Sequence, residues 1–110
     1  MATKITIIGA GSVGATIAYT LSLETLATEI LLIDINEKKA NGEALDIVQS
    51  TAFRDPISVT SGDYADAKGS NTVIITSGMG RKPGMTRLDL AKTNVSIMRD
   101  IAGKIAPVCP

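Results

Sequence analysis

The chain has 110 residues, enough for one domain, and its 45% hydrophobic and 20% charged content is ordinary for a water-soluble fold. Eleven basic residues balance eleven acidic ones and aromatics make up only 3%, so both the basic footprint and the stacking platforms of a nucleic-acid binder are missing. The single cysteine, Cys109, has no internal disulfide partner and reads as a small apolar residue of a reducing compartment, and no cysteine–histidine cluster exists to hold zinc.

In chain order, residues 4–8 are a β-branched run that ends in glycines, which predicts a buried strand. Val13, Ile17 and Leu21 then recur every four residues and predict a helix with one apolar face. Together, residues 5–23 form a long charge-free run. Three glycines interrupt it and soluble-type patterning follows, so we read it as strand plus helix rather than a signal peptide or membrane span. Residues 29–34 (EILLID) are a second buried strand, and Asn36 is placed to cap a helix whose apolar face is Ala40, Ala44, Ile47 and Val48. Gly42 weakens that helix without forbidding it.

Pro56 sets off a third strand near residues 57–60, and residues 62–71 read as a polar, turn-rich crossover. Residues 72–76 (TVIIT) are a fourth strand. The loop 77–86 leads into a long helix with an apolar stripe at Leu88, Ala91, Val95, Met98, Ala102 and Ile105, which we read as core packing, and Pro107 and Pro110 end that helix. There is no internal repeat and no low-complexity segment.

Strands alternating with helices imply a mostly parallel, doubly wound α/β sheet with right-handed crossovers. The third crossover is short, but ten extended residues span roughly 33 Å. Moving three strand positions takes only about 15 Å. A strand order of 3-2-1-4 is therefore reachable.

The first strand runs into Gly9-Ala10-Gly11-Ser12-Val13-Gly14, a G-x-G-x-x-G after a strand and at the start of a helix. Gly9 permits the tight turn, Gly11 lets a pyrophosphate approach the backbone, and Gly14 lets the helix pack closely on the strand. The helix N-terminus presents free N–H groups to the phosphates. No lysine follows in the pattern of a nucleoside-triphosphate loop. Asp34 stands at the end of the second strand, where a carboxylate accepts hydrogen bonds from the adenosine ribose and repels the 2′-phosphate of NADP. Ile35 follows where an arginine would have pointed to NADP. These features predict a Rossmann-type unit that binds NAD.

In a 3-2-1-4 sheet the strand order reverses between strands 1 and 4, and ligands bind there. The glycine turn leaves strand 1 at that point, and the loop 77–86 leaves strand 4 there. Read on through residue 87, this loop carries Arg81 and Arg87, six residues apart, among three glycines and a proline. Arginines can hold a carboxylate through two parallel hydrogen bonds, so beside a nicotinamide they suggest an anionic substrate.

GAGSVG, LLIDIN, GDYADAK, VIITSG and RKPGMTRLDL, in this order, resemble the lactate/malate dehydrogenase family over nearly the whole chain. The last motif is the most specific. The resemblance implies that Arg87 polarises the substrate carbonyl and stabilises charge on its oxygen, so that it is both catalytic and substrate-binding. It places Arg81 at the substrate-discriminating position, where malate enzymes carry arginine for the second carboxylate and lactate enzymes usually carry glutamine. It further implies cofactor contacts for Ser12, Val13, Ser77, Gly78 and Asn94 beside the glycines, and an adenine pocket lined by Tyr64 and Ile35.

Residues 1–110 are then expected to be the N-terminal part of the dinucleotide-binding domain, ending before a fifth strand and without the substrate domain. The family's proton-transfer histidine would lie further along; this chain contains no histidine. The expected function is NAD-dependent transfer of hydride between L-malate and oxaloacetate, with L-lactate/pyruvate as the alternative. By itself the 110-residue chain is expected to be inactive. A non-catalytic dinucleotide-sensing module would have no need of the Arg81/Arg87 pair, and a SAM-dependent methyltransferase or FAD enzyme would not explain RKPGMTRLDL. The remaining expectations are a small dicarboxylate or 2-keto acid substrate, no nucleic acid, membrane or metal, a cytoplasmic location, and a homodimer or homotetramer for the full-length protein.

Overall fold

The computed structural model describes residues 3–9, 11–23, 28–50, 58–76 and 83–109, apart from the side chains of Ser12, Ser22, Leu23, Gln49 and Ser50. The elements are β1 (Lys4–Ile8), α1 (Ser12–Leu23), β2 (Glu29–Ile33), α2 (Glu37–Ser50), β3 (Ser58–Ser61), a one-turn 3-10 helix (Tyr64–Ala67), β4 (Thr72–Ile75) and α3 (Arg87–Ile105). All strand pairs are parallel, in the expected order β3-β2-β1-β4, which the crossover lengths allow. β1 is central, with Lys4–Ile8 in register with Glu29–Ile33 on one side and Ile5–Ile8 with Thr72–Ile75 on the other.

Strand alternation sends the side chains of β1 and β2 to opposite faces. Ile5, Ile7, Ile30 and Leu32 meet Ala18 of α1 and Ala40, Ala44 and Ile47 of α2. On the other face Ile8, Leu31 and Ile33 meet Ala67, Ile101 and Ile105. Both faces are covered, which is why these strands read as unbroken apolar runs. Thr6 is the exception, a fully buried hydroxyl hydrogen-bonded to that of Ser70 on the crossover into β4. That pairing meets the cost of burying a polar group.

Local sequence sets the helix starts. The Asn36 side chain accepts from the Lys39 N–H at 3.1 Å, the cap expected for α2. Thr86 and Asp89 form a reciprocal capping box at the start of α3. The crossover read as polar turn contains the 3-10 helix Tyr64–Ala67, started by a second capping box between Asp63 and Asp66. The D-x-x-D spacing was its signature.

Some expected boundaries and faces need correction. β3 runs to Ser61, one residue beyond the expected end, because Ser61 still pairs with Leu32 of β2; Pro56 and Ile57 lie outside the described residues. β2 and β4 stop one residue short of Asp34 and Thr76. On α1 and α2, Val13 and Val48 are exposed, while Ile17 and Leu21 pack against the core.

The stripe read as the core face of α3 is largely a solvent face. Leu88, Val95 and Met98 are 63%, 56% and 41% exposed. Ala91 and Ala102 are exposed as well, and only Ile105 of the six is buried. The inward side chains are Ile97, Ile101 and Ile105, at spacing four, where the second half of the helix lies over Ile8, Ile33 and Ala67. Two overlapping apolar stripes fit one helical period, and only the position of the sheet selects between them.

Leu32→Ala should lower the unfolding free energy by about 2–5 kcal/mol. Leu88→Ser and Val95→Ser should change it by no more than about 0.5 kcal/mol. Urea denaturation of the three variants checks this assignment; comparable losses for all three would place the 88–95 stripe inside.

Candidate cofactor and substrate site

The carboxyl ends of β1, β2 and β4 are tied together by backbone. The Gly9 N–H donates to the Ile33 carbonyl at 2.7 Å and the Thr76 N–H to the Ile8 carbonyl at 2.8 Å. The Thr76 hydroxyl donates to the Gly9 carbonyl at 3.0 Å. Gly9 has φ 110°, a conformation that side-chain-bearing residues rarely adopt. Immediately beyond the turn α1 begins, with its Ala15 N–H bonded to the Gly11 carbonyl at 2.9 Å.

Gly14 is buried on that turn. A Cβ there would lie 1.8 Å from the Gly9 carbonyl oxygen and 2.9 Å from the Thr76 hydroxyl. Only a residue without a side chain lets the first turn of α1 sit so close to the end of β1. Gly11 is the opposite case, because among the described residues a Cβ added there meets nothing within 4 Å. It sits just before the helix N-terminus, where the first backbone N–H groups have no partner within the helix.

Beyond the ends of β1 and β2 lies a cavity of about 480 Å³, within the size range of small-molecule sites. Asp34, Ile35 and Tyr64 all line it. Asp34 is half-buried and its carboxylate accepts from the Asn36 N–H at 2.9 Å. That bond stiffens the turn out of β2. Ile35 is fully exposed at the lip. Tyr64 leans on the second core cluster from the 3-10 helix.

The opposite wall comes from α3: Ser96, Ile97, Asp100, Ile101 and Lys104. Sequence reasoning missed this wall. Its signature was the i, i+4 pair Asp100–Lys104 on the same helical face as Ile97 and Ile101. Lys104 Nζ lies 3.0 Å from Asp100 Oδ2 and 5.6 Å from the centre of the Tyr64 ring. The Asp100 carboxylate raises the Lys104 amine above the ordinary lysine range, so it is cationic at neutral pH.

The other expected site residues are distributed as follows. Ser12 is the first residue of α1 and Val13 is exposed beside it. Arg87 is exposed at the start of α3, and Asn94 is half-buried two turns later. Ser77, Gly78 and Arg81 lie outside the described residues. Among the described residues no group of three or more His, Cys, Asp or Glu is placed to hold a metal ion, and no helix is long and apolar enough to cross a membrane.

Residues 3–110 match the family model of the lactate/malate dehydrogenase NAD-binding domain. The chain belongs to this family. It is 53% identical over 105 residues to an L-lactate dehydrogenase of Thermoanaerobacter sp. (strain X514), covering 96% of this chain and 34% of that protein. The minor L-lactate dehydrogenase of Enterococcus mundtii, in a ligand-bound form, superposes with a TM-score of 0.94 at 44% identity, over 97% of this chain and 34% of that one. The malate dehydrogenase of Archaeoglobus fulgidus, in complex with NADH, superposes with a TM-score of 0.90 at 45% identity, over 98% and 37%. The chain thus spans about a third of the length of the relatives it matches.

A Rossmann-type NAD-binding unit of a dehydrogenase family needs an adenosine pocket and an open phosphate turn, and the residues present fit the dinucleotide. The cavity offers the Asp34 carboxylate at the end of β2, an exposed isoleucine and an aromatic ring, with the carboxylates of Glu37, Asp63 and Asp100 and the Lys104 ammonium also on its walls.

Gly14→Ala should lower the melting temperature, because its Cβ collides with the Gly9 carbonyl. Gly11→Ala should leave the melting temperature unchanged and weaken ADP-ribose binding about tenfold or more, roughly 1.4 kcal/mol. Thermal denaturation and titration calorimetry measure the two effects. An unaltered affinity in Gly11→Ala would mean that the phosphates do not approach this turn.

Proposed function

We propose that this chain is the NAD-binding part of a 2-hydroxy-acid dehydrogenase that interconverts L-malate and oxaloacetate. The observation that carries the proposal is the loop RKPGMTRLDL and the place where it begins. Thr76, the last described residue before it, is hydrogen-bonded to the glycine turn. A loop rooted there starts at the point where the strand order reverses.

On this reading the bound dinucleotide supplies or accepts the hydride. Asp34 accepts from the adenosine ribose, the Gly9–Gly14 turn takes the pyrophosphate, and Ser12, Val13, Ser77, Gly78 and Asn94 line the path of the cofactor. Arg87 stabilises negative charge developing on the substrate oxygen. Arg81 pairs with the second carboxylate of the dicarboxylate through two parallel hydrogen bonds. The family's proton-transfer histidine has no counterpart among these residues, since the chain carries no histidine.

A second reading within the family is L-lactate/pyruvate, favoured by the names of its curated relatives. It leaves the arginine at position 81 without a partner carboxylate. In either case the full-length enzyme would be a cytoplasmic homodimer or homotetramer.

The deciding experiment follows NADH oxidation by the purified protein with oxaloacetate and with pyruvate side by side, alongside its intact mass. Oxaloacetate should be preferred, and Arg81→Gln should cut its kcat/KM by about 30-fold or more, the effect of unpairing a buried charge (about 2 kcal/mol). A wild-type preference for pyruvate would sink the malate assignment in favour of lactate. A preparation of mass 11.4 kDa should turn over neither substrate.

A further inference from the structure

We infer that Lys104 is a positioning residue for the adenosine half of the cofactor, acting by holding the Tyr64 ring as one wall of the pocket. The inference rests on the dinucleotide reading of the cavity and deepens it.

Tyr64 opens a 3-10 helix of four residues, anchored through the Asp63/Asp66 capping box. Backbone capping fixes where the Tyr64 Cα sits but leaves the ring free to choose its rotamer. One side of the ring is set by partial packing on the cluster that contains Ile101 and Ile105. The other constraint is Lys104, whose Nζ stands 5.6 Å from the ring centre. That is within the range in which a cation is drawn to an aromatic face.

Lys104 is itself held. Asp100, one turn earlier on α3, takes its ammonium at 3.0 Å. A lysine has a flexible four-carbon stem, so without the carboxylate its cation would sample many positions. The result is a relay from the helix backbone through Asp100 and Lys104 to the Tyr64 ring. All three side chains line the cavity that also contains Asp34 and Ile35. A cavity with apolar side chains and an aromatic ring on its walls, and the Asp34 carboxylate at the end of β2, suits a purine nucleoside. The ring serves as a wall only if it stays in place.

Lys104 and Asp100 are both more than half exposed, so the fold does not depend on them. Their part in the pocket is therefore separable from stability.

The test measures the Kd of AMP and ADP-ribose by titration calorimetry for wild type, K104M, K104R, Y64L and the double variant K104M/Y64L, with melting temperatures alongside. K104M should weaken both ligands about two- to fivefold, the size of an exposed cation–π contact. K104R should restore wild-type affinity. In the Y64L background K104M should have no further effect, because there is no ring left to hold. Unchanged affinity in K104M overturns the inference. Equal losses with and without Tyr64 also overturn it, since Lys104 would then touch the ligand itself. If wild type takes up neither AMP nor ADP-ribose, the dinucleotide reading of the cavity falls and the inference with it.

Discussion

The first turn of α1 lies against the carbonyl of Gly9, with Gly14 so close that even a methyl group would overlap it. Much of the site depends on this contact. It lets the helix start almost where β1 ends, three residues after Gly9. The contact is held from the sheet side by the Thr76 hydroxyl and from β2 by the Gly9–Ile33 bond. A side chain at position 14 would push α1 outward, opening the first core cluster and displacing the turn together. Packing thus concentrates on one glycine, while Gly11, three residues earlier, leaves room for a Cβ among the described residues.

The described part of the site divides by distance from this contact. Gly9 is tied to β2 by its bond to Ile33 and to the end of β4 by the Thr76 hydroxyl. The cavity lies further out and is assembled from three separate elements: the end of β2, the 3-10 helix and the second half of α3. Each is fixed by a local device, namely the Asp34–Asn36 turn, the Asp63/Asp66 box and the apolar contacts of Ile101 and Ile105.

α3 serves two ends unequally. Its C-terminal half is anchored to the sheet through Ile97, Ile101 and Ile105. Its N-terminal half presents Leu88 and Val95 to solvent.

The sequence by itself determined the strand and helix order and the family, because each depends on local pattern, and it allowed the sheet order 3-2-1-4 that the structure adopts. Unbroken apolar runs mark strands covered on both faces, glycine spacing marks the turn, and RKPGMTRLDL is specific. It also determined that Asp34, Ile35 and Tyr64 are candidates for one pocket. Only the tertiary structure decided which side of α3 faces inward, since Leu88-to-Ala102 and Ile97-to-Ile105 fit the same helical period. Only it showed that Ile97, Asp100 and Lys104 complete the pocket, because residues some 60 positions after Asp34 meet it solely through the packing of α3 across the sheet. Periodicity describes a helix about its own axis, and the direction that faces the core is set by the partner it packs against.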